Sequence, residues 1–148
     1  MNIKEEVNSD FKTAFKEKDA VAKTVLSMLK SEIKNREIDN KGNELDEGQA
    51  LDLITSEIKK RKDSQKQYID AKRDDLAEVE EAEIKVLMRY MPEQLSDDEL
   101  DGIIDGAISE VKAEGMKDLG KVMASLKDKV KGKADGGKVA EMVKAKLS

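Results

Sequence analysis

The sequence predicts an all-α protein with an N-terminal domain of long amphipathic helices and a small C-terminal three-helix domain. Charged residues make up 41% of the chain and aromatic residues only 3%. Leu, Ile, Val, Met and Ala recur at intervals of three and four residues throughout, as in amphipathic helices. No alternating pattern predicts a strand. The net charge of −5 is small and the apolar residues are regularly placed, so we expect a folded chain rather than a disordered one.

Four helices are expected in the first part of the chain. The apolar period predicts a helix over about 2–17, with Phe11 and Phe15 facing inward, and a second that ends near Ile38. Turn residues follow at 39–43. Two further helices, over about 46–72 and 75–90, are expected to form a long pair.

The only proline, Pro92, predicts the domain boundary, because proline disfavours helix at the residue before it. We therefore expect domains over residues 1–91 and 92–148. Ser96 and Glu99 form a capping-box pattern that starts the next helix, and Gly115 is expected to end it. Two shorter helices follow. One ends at Gly132, and Asp135 is placed to cap the other.

The residues absent from the sequence limit its chemistry. The chain has no Cys and no His, which excludes thiolate nucleophiles, zinc–thiolate sites and the commonest general base. We expect no catalytic residue, no metal and no cofactor. The acids Asp97, Asp101 and Asp105 share a helical face, which could suggest a metal site. Acids are favoured in any first helical turn, however, so we do not expect a metal there. No apolar run approaches the roughly 20 residues of a membrane span, and no apolar leader begins the chain, so a cytoplasmic protein is expected.

Charge is unevenly distributed in the C-terminal part. Residues 92–114 contain eight acids and one lysine, whereas residues 115–148 contain nine lysines and four acids. Lysine clusters and glycine-rich backbone are typical of phosphate contacts, particularly before a helix N-terminus. The candidate RNA-binding residues are Lys121, Lys131, Gly132, Lys133, Gly136 and Lys138.

A secondary basic patch is expected in the third helix, at Lys59, Lys60, Arg61 and Lys62. Both basic groups have the alternative interpretation of solvated helix faces. Two Phe and two Tyr are too few for a base-stacking platform, so RNA contacts are expected through backbone and shape.

Several stretches carry a family resemblance. They are LKSEIKNREID at 29–39, SEIKKRKDSQKQYIDAKRDDL at 56–76, YMPEQLSDDEL at 90–100 and MKDLGKVMASLKDKVKGKADGGKVAEMVKAKL at 116–147. In these the chain resembles the YqeY family over nearly its whole length. Residues 120–123 and 131–135 are also similar to the C-terminal tail of GatB, the tRNA-binding subunit of the glutamine-dependent aspartyl/glutamyl-tRNA amidotransferase. The chain departs from that pattern at Gly136 and Gly137, where one Gly or a Pro is expected, which predicts a looser turn.

The resemblance implies an accessory module that binds tRNA or a tRNA-charging complex without catalysis, because the catalytic cradle of GatB is absent. An alternative is a protein-interaction module that docks a tRNA synthetase or an amidotransferase subunit. A second alternative is the activity in the family label, a carbon–nitrogen ligase with glutamine as amido-N-donor. We find no nucleophile and base for that reaction. A shared fold alone does not carry an activity. No contact with DNA or with membranes is expected.

Overall fold

The computed structural model describes residues 2–148, and over that range it contains seven α-helices, one short 3-10 helix and no strand. The all-α prediction is therefore confirmed. No helix among the described residues has the length and apolar character that crossing a bilayer requires. The α-helices are α1 (Ile3–Glu17), α2 (Ala20–Asp39), α3 (Glu47–Asp70), α4 (Asp74–Met88), α5 (Asp97–Val111), α6 (Leu119–Val130) and α7 (Gly136–Leu147), and the 3-10 helix is Met116–Asp118.

The contacts of the chain fall into two compact units, one up to Met91 and the other from Pro92 onward. Each unit has its own apolar core. In the first unit α1 packs on α2, and α3 forms a long hairpin with α4. In the second unit α5, α6 and α7 pack on one another. We propose that each unit is a domain that folds alone.

Aliphatic side chains fill both cores, because the chain offers few large aromatic residues. The first core is centred on Leu26, Leu29, Leu53, Ile54 and Leu87, which are almost fully buried. The second core is centred on Leu100, Ile104, Val122, Leu126 and Val143. Each such side chain contributes roughly 1.5–3 kcal/mol by leaving water.

A buried charged cluster lies beside the first core. Glu57 is only 5% exposed, and it accepts a hydrogen bond from Arg61 Nη1 at 2.8 Å. Arg61 Nε donates to Glu83 Oε2 at 3.0 Å, so one guanidinium joins α3 to α4. Burial, and then the charge of Glu83, raises the pKa of Glu80 close by. Removing one partner of such a buried pair typically costs about 3–5 kcal/mol, because the other charge is left without compensation.

Tyr90 ties the end of this unit back to its first helix. Its hydroxyl donates to Asp10 Oδ2 at 2.5 Å, across 80 residues of sequence. Burial of Tyr90, together with this hydrogen bond and the charge of Asp10, raises the pKa of the hydroxyl above its usual value of 10.0. The bond therefore requires the protonated phenol.

Helix α1 differs from the prediction that both Phe side chains face inward. Phe11 packs partly against the core, but the Phe15 side chain is 61% exposed. The buried positions of α1 are Ile3, Val7 and Ala14, and successive residues on a helix are rotated by about 100°. Phe15 therefore points away from the core, and the ammonium of Lys23 lies 4.7 Å from its ring centroid.

The start of α5 matches the prediction in part. Ser96 is the N-cap, and its hydroxyl oxygen accepts a hydrogen bond from Glu99 N–H at 3.1 Å. The predicted return bond to the Ser96 backbone is replaced, because the Glu99 carboxylate accepts from the Ser96 hydroxyl instead. A complete capping box lies at the start of α3, where Asp46 and Gln49 bond reciprocally.

The end of α5 corrects the prediction of a cap at Gly115. The helix stops one turn earlier at Lys112, which adopts a left-handed conformation with φ of 54°. Ala113 N–H donates to Ile108 O at 3.0 Å, as in a Schellman motif. Lys18, Lys41 and Lys72 also have positive φ at or just after the ends of α1, α2 and α3.

We predict that a fragment of residues 92–148 folds alone and that Ser96→Ala lowers its free energy of unfolding by about 1 kcal/mol, because the cap of α5 is lost. Urea titration followed by circular dichroism measures this. The control is Ser109→Ala, an exposed position within α5, which should leave stability unchanged or slightly raised. A fragment without a cooperative transition would contradict the proposed domain.

We also predict that Tyr90→Phe in the full chain costs about 1 kcal/mol at neutral pH, because the hydrogen bond to Asp10 is lost. The folded state holds the phenol proton after the unfolded state has released it. The contribution of Tyr90 is therefore complete below about pH 10 and falls as the pH rises further. Denaturant titrations from about pH 8 to about pH 11 should show the two proteins converging. A constant difference in stability would contradict the assignment.

Candidate nucleic-acid interface

The loop between α6 and α7 contains three of the six predicted RNA-binding residues. Helix α6 ends at Val130, and Lys133 N–H donates to Val130 O at 2.9 Å. Gly132 has φ of 73°, in the left-handed region that favours glycine. Lys131 and Lys133 lie on either side of it, and both are exposed. The left-handed glycine thus reverses the chain between two exposed lysines.

Residues 92–95 hold this loop through its backbone. Leu95 N–H donates to Lys133 O at 2.9 Å. The side-chain amide of Gln94 donates to Gly132 O at 2.7 Å and to Pro92 O at 2.9 Å. The loop carbonyls are therefore fixed by the segment that begins the unit. The role of Gln94 has no signature in the sequence, because no local pattern links residues 38 positions apart.

The glycines that follow the loop belong to α7. Gly136 and Gly137 are the first two residues of the helix, so they do not loosen the turn as predicted. Asp135 is the N-cap, as predicted, and accepts from Gly137 N–H at 3.4 Å. Its carboxylate occupies the N-terminus of α7, which is where the sequence suggested that a phosphate would approach. Gly136 therefore has a helical role in this structure.

Lys138 differs most from its predicted role. It lies in the first turn of α7, and its ammonium group is paired with Asp97 of α5. Further along α7, Lys146 Nζ donates to Asp101 and Asp105 at 2.8 Å each. These two hydrogen bonds raise the pKa of Lys146. The row of acids on α5 is thus neutralised by α7, so much of the charge asymmetry in the sequence is used within the unit.

Lys121 and the loop lysines remain at the surface. The Lys121 side chain is 72% exposed, and its ammonium lies 3.7 Å from Asp118 one turn earlier. The pKa of Asp118 is lowered mainly by the hydrogen bond it accepts from Glu114 N–H at 2.9 Å. The ammonium of Lys121 is largely in water and lies 3.7 Å from Asp118, so this ion pair is weak and Lys121 can exchange its partner for a phosphate.

The secondary patch on α3 is divided by burial. Lys59, Lys60 and Lys62 are exposed, although Lys60 Nζ also lies 3.4 Å from Glu57. The Arg61 side chain is only 13% exposed and is held by Glu57 and Glu83. Arg61 therefore belongs to the buried charged cluster and does not extend the surface patch.

Comparison with known proteins identifies the family. The family model described as Yqey-like protein matches residues 4–147. The chain is 37% identical over 108 residues to a Lachancea thermotolerans protein named "Altered inheritance of mitochondria protein 41, mitochondrial", covering 72% of this chain and 58% of that protein. Proteins of the same name from Candida glabrata and Saccharomyces cerevisiae are 42% and 37% identical, over 62% and 64% of this chain and 51% of each relative. The chain spans about half the length of these curated relatives.

The relatives overturn one prediction. Their names place those proteins in mitochondria, so the prediction of a cytoplasmic protein is wrong. That prediction rested largely on the lack of a long apolar run, a feature that does not distinguish the cytoplasm from the interior of an organelle. The match to the family model, in contrast, extends from α1 to the last residue of α7. The chain therefore belongs to the family of Yqey-like proteins.

Proposed function

We propose that this protein is a non-catalytic accessory module that binds tRNA or a tRNA-charging complex through the α6–α7 loop. The observation that carries the proposal is the fixed loop backbone, which presents Lys131 and Lys133 at the surface on either side of Gly132. The resemblance of residues 131–135 to the GatB tail supports tRNA as the ligand.

The loop would contact the sugar–phosphate backbone rather than base edges. Lysine ammonium groups contact phosphates as point charges, and such contacts position RNA without reading its sequence. Lys121, near the start of α6, adds a third exposed cation. The net charge of −5 opposes association with RNA at long range, so we expect modest affinity that depends strongly on salt.

Two other functions remain as outcomes of the experiments. A module that docks a tRNA synthetase or amidotransferase subunit would bind that protein after nuclease treatment and would not need the loop lysines. A carbon–nitrogen ligase would need a nucleophile and a base, and the chain contains neither Cys nor His to supply them.

We predict that Lys131→Glu combined with Lys133→Glu weakens binding to a mixture of tRNAs without changing the unfolding midpoint, because both side chains are exposed. Each lost phosphate contact removes roughly 0.7–0.9 from the slope of log K against log salt, so the pair should remove about 1.5. Fluorescence anisotropy at several salt concentrations measures both quantities.

The matched control for this prediction is Lys59→Glu combined with Lys62→Glu, which makes the same change of charge at exposed positions on α3. Equal losses from the two pairs would contradict a specific loop contact. Lys138→Glu is a different variant, because it places a second acid beside Asp97 and should lower stability. Absence of any tRNA binding at low salt would overturn the proposed function.

We further predict that the purified protein neither hydrolyses glutamine nor consumes ATP when mischarged tRNA is present. Release of glutamate and of phosphate would be followed with coupled assays, using an intact amidotransferase as the positive control. Turnover that copurifies with the protein and disappears after a single substitution in it would establish an intrinsic ligase activity instead.

A further inference from the structure

The outer surface between α1 and α2 carries lysines and phenylalanines in alternation. Phe11 and Phe15 lie one turn apart on α1, and Lys23 and Lys30 of α2 place their ammonium groups over these rings, at 4.7 Å from Phe15 and 4.5 Å from Phe11. We call this surface the lysine–phenylalanine groove, and it consists of Phe11, Phe15, Lys18, Lys23, Lys30 and Lys34.

Two surface depressions lie along the groove. One has a volume of about 340 Å³ and is lined by Lys30, Lys34 and Asn8, among others. The second has a volume of about 440 Å³ and is lined by Phe15, Lys18 and Lys23, among others. From Lys4 to Lys18 the line of α1 is about 21 Å long, at 1.5 Å per residue. That is the length of roughly six stacked nucleotides at 3.4 Å each.

The groove has an excess of positive charge that the first unit does not use internally. Among the described residues that line the two depressions, Glu37 is the only carboxylate, and it is paired with Lys4 at 3.0 Å. Among residues 2–148, no carboxylate lies within 4 Å of the ammonium groups of Lys23, Lys30 or Lys34. This contrasts with α7, where Lys138 and Lys146 are both paired with acids.

We propose that the lysine–phenylalanine groove binds a single-stranded segment of RNA, with phosphates on Lys23, Lys30 and Lys34 and a base on the exposed ring of Phe15. The choice of RNA as the ligand rests on the proposed function. The site includes no residue of the α6–α7 loop, and its residues all belong to the first unit. Single-strand binding surfaces combine these two features, a basic track for the backbone and aromatic rings for the bases.

On binding RNA, Lys23 and Lys30 would exchange a phenylalanine ring for a phosphate as the partner of the ammonium group. In the free protein the ammonium groups of Lys23 and Lys30 rest over ring faces, where a cation contributes modestly at an exposed site. A phosphate attracts an ammonium more strongly than a ring does, so Lys23 would move to the backbone of the RNA. The face of Phe15 would then be open to a base. An acidic peptide could also pair with the lysines, but it has no planar base to stack on the ring.

The test uses the full chain and a fluorescein-labelled 12-mer of uridine in an anisotropy titration at low salt. The groove variant replaces Lys23, Lys30 and Lys34 with Gln. The matched control replaces Lys12, Lys66 and Lys85 with Gln, since these lysines are exposed and lie outside the groove. We expect the groove variant to lose about tenfold or more in affinity and about 2 units of salt slope, against less than about threefold for the control.

Phe15→Leu separates stacking from charge. Leu preserves an apolar side chain at this exposed position but offers no flat ring. We expect affinity for the 12-mer to fall about fivefold or more while the salt slope stays unchanged, because stacking contributes at least about this much per base. If Phe15→Leu has no effect and an oligoglutamate peptide competes as well as the 12-mer does, the groove is a site for an acidic protein and the proposal is overturned. Equal losses from the groove and control triples would overturn it as well.

The same titrations distinguish failure of this proposal from failure of the proposed function. Lys131→Glu with Lys133→Glu should leave binding of the 12-mer within about threefold of the unmodified protein, because neither lysine is among the residues of the groove. If tRNA binding depends on the loop while the groove triple behaves like its control, the groove proposal fails and the proposed function stands. If the 12-mer binds through the groove but tRNA does not bind through the loop, the proposed function fails and the groove proposal stands.

Discussion

The guanidinium of Arg61 lies between the carboxylates of Glu57 and Glu83, and the packing of the first unit depends on this arrangement. Aliphatic side chains make helix contacts without strong directional preference, so many rotations of α3 against α4 would bury similar areas. A charged cluster with fixed donor directions selects one of them. Without Arg61, Glu57 and Glu83 would face each other beside Glu80, whose pKa is already raised. The same atoms therefore orient the α3–α4 hairpin and remove Arg61 from the protein surface.

The second unit follows the same rule with exposed charges. Its acidic helix and its basic helix attract each other along the row formed by Asp97, Asp101 and Asp105. These pairs are individually weak because water screens them, but together they favour one alignment of α5 and α7. A charge asymmetry in a sequence therefore has two physical uses, one inside the unit and one toward a ligand. Lysines that are paired with acids inside the unit are poor candidates for binding a ligand.

The sequence was sufficient to predict the helices and most of their ends, because the apolar period, the capping residues and the proline each act over a few neighbouring residues. It predicted the Ser96 and Asp135 caps correctly, but not the stop at Lys112, since a left-handed lysine has no sequence signature comparable to that of glycine. Of the candidate site, it identified the surface lysines of the α6–α7 loop. It could not separate Lys138 or Arg61 from them, because Asp97, the partner of Lys138, and Glu83, one of the two partners of Arg61, come from other helices. The exposure of Phe15 was missed because the period around Ala14 fits two rotations of a short helix.

Four lysines hold a left-handed backbone at helix ends, at Lys18, Lys41, Lys72 and Lys112. Glycine in these places would relieve about 1 kcal/mol of steric cost each, whereas lysine contributes a cation beside the exposed carbonyls of the helix. Replacing all four with glycine would make the net charge more negative by four. A more heat-resistant version of the protein is therefore accessible through few changes, but it would be a more acidic one. Thermal resistance and attraction for polyanions oppose each other at these four positions, and selection on either property changes the other.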